Sequence, residues 1–112
     1  MGEAQGYNFQ NKLDLLEAEL ASFTAYNERT ELAAENLYAS SIRAASSGNL
    51  SHEEGLACEY CAYHFQRMND HKASLQMFER AKAAFQRWGS QVKVDNMQAY
   101  ILVAREKVAE KD

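Results

Sequence analysis

Three observations predict an all-α fold for this 112-residue chain: large apolar residues recur at every third or fourth position, proline is absent, and glycine is sparse. No period-two apolar run and no Asn-Gly or Asp-Gly turn is present, so nothing signals a strand. Hydrophobic residues make up 46% and charged residues 25%, the balance of a globular chain with one core. The expected architecture is two antiparallel helical hairpins, over residues 8–47 and 51–88, closed by a capping helix over 90–109. Segments 1–7 and 110–112 are expected to fray.

The first helix, about Asn8 to Tyr26, places Phe9, Leu13, Leu16, Leu20 and Phe23 on one face. The second, about Glu28 to Ser46, carries Leu32, Tyr38, Ile42 and Ala45 as its stripe and should stop at Gly48. Ser51 and Glu54 predict a capping box at the start of the third, which continues through Leu56, Cys58, Ala62, Phe65 and Met68. Asp70 is a good N-cap for the fourth, with Leu75, Phe78, Ala81, Phe85 and Trp88 before Gly89. The fifth starts at Ser90 and shows Val94, Met97, Ile101, Ala104 and Val108. Connections of a few residues make neighbouring helices run antiparallel.

The third and fourth helices form the most informative stretch. Ala62, Ser74 and Ala81 supply small side chains where two helices must approach closely, and Phe65, Phe78, Phe85 and Trp88 supply bulk to fill the gaps. With Asn69-Asp70 at the turn, this order resembles the tetratricopeptide repeat. Cys58 stands where that repeat carries Trp, and Gln86 where it closes with Pro, so the fourth helix should run on to Trp88. Ala34, Tyr38 and Ser41 match the second-helix slots of a weaker first copy, although Tyr38 and Phe78 are spaced more widely than the ~34-residue standard period. The run Leu16 to Leu20, the pair Leu37-Tyr38, the string His52-Glu53-Glu54 with Leu56-Ala57, and the ending Arg87-Trp88-Gly89 resemble the repeat region of large multidomain ATPase and sensor histidine kinase signalling proteins. The likeness covers residues 8–97 and implies a scaffold that relays signals between neighbours, with no catalytic residue of its own. Two hairpins are fewer than the ~3 repeats that such stacks need. The fifth helix is therefore expected to cover one open end, and the apolar face of the first to want a partner.

A net charge of −4 without a basic stripe argues against nucleic acid and against an anionic membrane surface. No apolar run approaches the ~20 residues of a membrane span, and no signal peptide is evident, so the expected compartment is the cytoplasm. Gly2 has the place of a myristoylation start, but Gly6 stands where that motif wants Ser or Thr.

Cys58 and Cys61 with His64 form the one constellation resembling a metal or redox site. On a helix Cys58 and His64 lie about 9 Å apart along the axis and ~120° apart around it, which no single tetrahedral ion spans. The pair also sits inside its helix and away from the N-terminus, where a redox Cys-x-x-Cys gains its low thiol pKa. Both cysteines are expected in the core, and a small metal- or ligand-binding domain using Cys58 and Cys61 is the alternative reading. His52 and His71 stand at helix starts beside Glu53, Glu54 and Asp70, acids that the helix dipole explains without catalysis. Neither an enzyme nor a cofactor is expected. Tyr60, Tyr63, Gln66 and Arg67, on the helix that lines the concave surface of tetratricopeptide hairpins, are the candidate contacts for a peptide or protein partner, including an adjacent domain or a second copy.

Overall fold

The computed structural model describes residues 9–111 and shows among them five helices and no strand: α1 Phe9–Thr24, α2 Glu28–Ser47, α3 Ser51–Arg67, α4 His71–Trp88 and α5 Gln91–Lys111. The fold is all-α, with α1–α2 and α3–α4 as helical hairpins and α5 laid against α4. The segment 1–7 expected to fray lies outside the described residues, as do Asn8 and Asp112. At the other end α5 continues through Glu110 and Lys111, beyond its expected limit.

Local chemistry sets the helix ends. Asn27 caps α2: its side chain accepts from the Thr30 amide at 2.9 Å, while Thr30 Oγ1 accepts from the Asn27 amide at 3.0 Å. That reciprocal box had been expected at Ser51 and Glu54, and there it does not form. Ser51 is already the first residue of α3, and the Glu54 carboxylate is drawn across the interface to two arginines of α4. Asp70 caps α4 through the Ala73 amide at 3.1 Å. The left-handed turn residues are Asn49 (φ 58°), Asn69 (φ 61°) and Gly89 (φ 98°). Gly48 ends α2 at φ −88°, so the reversal expected of it falls one residue later, on an asparagine whose short amide tolerates that conformation.

Tyr38, Phe78, Phe85, Met97 and Ile101 form the large side chains of the core, with Ala18, Ala57, Cys58, Cys61, Ala62 and Ala81 between them. Small residues let α3 and α4 close up. Ser74 donates its hydroxyl to the Ala62 carbonyl at 3.0 Å, and Gly55 lies against the Phe85 ring. Phe65 packs partly buried at the edge of this core. Trp88 does not fill the helix gap. It is 51% exposed and stacks on His52 with ring centroids 4.1 Å apart. Leu32 likewise leaves its expected stripe and faces solvent, and Ala34 and Ser41 take the buried places of α2 beside Tyr38.

Three buried carboxylates tie α3 to three other helices. Glu53 lies 3.7 Å from Lys12 of α1, and Glu54 lies 3.4 Å and 2.9 Å from Arg80 and Arg87 of α4. Glu59 lies 2.9 Å from Lys93 of α5. Burying an acid is costly unless a cation and hydrogen bonds compensate it, so these pairs fix which face of α3 meets which neighbour.

Candidate functional site

α1 joins the body through Asn11, Leu15, Ala18 and Ser22. The stripe read from the sequence therefore points away from the core: Phe9, Leu13, Leu16, Leu20 and Phe23 are 62, 43, 64, 67 and 65% exposed. Apolar side chains scattered singly on a surface need no explanation, but a continuous row of this length does. Beside the row, between α1 and α3, runs a groove of about 340 Å³ lined by Lys12, Leu15, Leu16, Glu19 and Tyr60. A second groove of similar volume runs over α3 between α2 and α4, floored by Ile42, Cys61 and Phe65 and flanked by Glu35, Arg43 and Arg80.

The four candidate contact residues of α3 fall in different surroundings. Tyr60 is half-buried on the wall of the first groove. Tyr63 meets Tyr60, Phe78 and Tyr100 edge-on or nearly so, and its hydroxyl donates to Glu59, so it joins α3 to α4 and α5. Burial and the neighbouring Glu59 carboxylate raise its phenol pKa. Gln66 is exposed. Arg67 places its guanidinium 4.1 Å from the Phe23 ring centroid and donates to Ser22 Oγ, clipping the end of α1 to α3.

Sequence reasoning missed a buried polar cluster next to these residues. His64 is fully buried, with Nδ1 2.7 Å from Ser22 Oγ and Nε2 3.5 Å from Glu35. Because Ser22 Oγ already accepts from Arg67, its own proton goes to Nδ1, and the network assigns the neutral ring's proton to Nε2, facing Glu35. Burial lowers the His64 pKa, and the Glu35 carboxylate opposes that shift. The order Ser–His–Glu has the form of a nucleophilic triad, but Ser22 is 3% exposed and bonded on both sides, which leaves no room for a substrate carbonyl. The arrangement acts as a polar joint between α1, α2 and α3. Only the burial of His64 was legible, since Ala57, Cys61 and His64 follow one another at the spacing of a single buried helix face, whereas its partners on α1 and α2 were not.

Cys58 and Cys61 are free and buried, and burial pushes both thiols up to about 12. A thiol so hard to ionise is a poor ligand and a poor nucleophile. No group of three His, Cys, Asp or Glu side chains is placed to hold a metal among the described residues. His52 is packed against Trp88 and Phe85, and burial is the main cause of its lowered pKa. No helix among the described residues is long and apolar enough to cross a membrane.

What these features define is a small all-α domain of helical hairpins with an apolar helix face turned outward. The chain matches no protein-family model, no curated protein and no solved structure.

Proposed function

We propose that this chain is a non-enzymatic interaction module, built on tetratricopeptide-like repeats, that binds a protein or peptide and relays a conformational bias to its neighbours. The supporting observation is the outward row on α1, five large apolar side chains long, beside a groove walled by Tyr60. Helix-in-groove recognition uses apolar anchors at this spacing. The resemblance of residues 8–97 to the repeat region of large multidomain ATPase and sensor histidine kinase signalling proteins favours the same reading, because each hairpin of such a stack contacts only those beside it and passes displacement along. Placement of the titratable groups agrees: His64, Cys58, Cys61 and Glu59 are all buried in packing contacts.

A photo-crosslinking amino acid at Leu16 or Tyr60 tests this. In extract of the producing cells it should yield a discrete protein adduct, absent when the probe replaces the exposed Ala83 of α4. Adducts missing at both positions, or equally strong at the control, would refute the reading.

A further inference from the structure

We propose that the occupant of the α1 face is a second copy of this chain, paired helix to helix along Phe9, Leu13, Leu16, Leu20 and Phe23. This rests on the interaction reading above and names its partner.

The five residues follow one another at steps of four, three, four and three. That is a 3.5-residue period, the one that keeps a seam turned toward a partner helix along its length. Their side of α1 lies opposite Asn11 and Ala18, which the body buries, so the packing of α1 itself delivers the seam to solvent.

The area is that of an association. At ~200 Å² for a large apolar residue, the exposed fractions amount to roughly 600 Å² on each copy, so two seams that cover one another completely bury about 1,200 Å² at most. That is the lower end of the range for specific interfaces.

Charge complements the seam in either direction. Lys12 flanks its first half and Glu17 and Glu19 its second. Helices running oppositely bring Lys12 of one copy to Glu19 of the other, and helices running together bring it to Glu17. The Lys12 side chain is 40% exposed while it pairs with Glu53.

Among the described residues no second exposed row keeps this spacing: on α5 the exposed Val92 stands apart from Tyr100, Leu102 and Val103. Pairing α1 with itself closes as a two-fold dimer, whereas pairing α1 with α5 would build a ring or a filament.

Sedimentation equilibrium of the whole chain from roughly 1 to 500 µM provides the test, a range that brackets micromolar association. Monomer mass should give way to dimer mass and go no further. Leu16→Glu with Leu20→Glu should hold the monomer mass throughout, with unchanged helical circular dichroism. Val92→Glu with Val103→Glu should leave the dimer intact. As a readout that needs no disruptive change, Leu16→Cys should form a disulfide-linked dimer on mild oxidation and Val92→Cys should not, since the native cysteines are buried. A wild-type monomer at every concentration, a dimer that survives the α1 charges, or one abolished by the α5 charges overturns the inference. A monomer that still crosslinks to a different protein at Leu16 overturns it too, while leaving the interaction reading standing.

Discussion

At Gly55 a Cβ would lie 2.6 Å from the Phe85 ring, closer than any side chain tolerates. Gly55→Ala should therefore destabilise the fold by about 1–3 kcal/mol through overpacking, against the gain of roughly 1 kcal/mol that alanine brings to a helix interior. Urea midpoints measure the net effect, and Phe85→Leu in the alanine background should recover part of it. His64 gives a pH signature. Its folded pKa lies below the unfolded value of 6.5, so between the two the unfolded chain binds a proton that the folded one refuses. Stability is full above that unfolded value and falls as the pH drops below it, levelling once the folded form also titrates. His52 shifts in the same direction and adds to the slope. The expected result is a urea midpoint lower at pH 5 than at pH 8, with a shallower dependence in His64→Gln. The two cysteines supply a third readout. Burial pushes both thiols up to about 12 and also shields them from reagents, so little thiolate is offered at pH 8. Alkylation at pH 8 should be slow in the native protein and much faster in denaturant.

The helices show which kinds of signal survive translation from sequence to structure. Periodicity did so in α5, where Val94, Met97, Ile101 and Ala104 are all buried as their spacing required. In α1 periodicity located the apolar face, whose exposure fits the expectation that it lacks cover within the fold, but did not name the residues that turn inward. Sequence patterns report that residues share a side, whereas Asn11, Ala18 and Ser22 won the inward place because small side chains let α1 approach α2 and α3. Capping was legible at Asp70 and misread at Ser51, since a Ser-x-x-Glu pattern cannot reveal that Arg80 and Arg87 will arrive from another helix to claim the glutamate. The box at Asn27 and Thr30 went unread because Asn-x-x-Thr is a less familiar form of the same reciprocal bonding. Asn27→Ala should cost about 1 kcal/mol, visible in the thermal midpoint, and Ser51→Ala much less. The Ser22, His64 and Glu35 joint was not legible either, because its members come from three helices whose mutual approach no local pattern encodes.

Taken as a whole, the molecule is a slab measuring 51 × 32 × 17 Å, and α5 closes one of its ends. Val94, Met97 and Ile101, buried from α5, are worth roughly 1.5–3 kcal/mol apiece, which together rivals the ~5–15 kcal/mol total stability of a domain this size. A chain ending at Gly89 should accordingly lose cooperative unfolding by circular dichroism. Contacts within the slab run chiefly between helices that are neighbours along the chain, α1 with α2, α2 with α3, α3 with α4 and α4 with α5. Such wiring demands little loop closure before native packing begins, and a chain without proline has no slow prolyl isomerisation to wait for. Stopped-flow refolding should thus finish in one rapid exponential on the millisecond scale or faster. A polypeptide leaving the ribosome completes α3 against α4 while α5 is still held in the exit tunnel, the order of emergence matching the order of assembly.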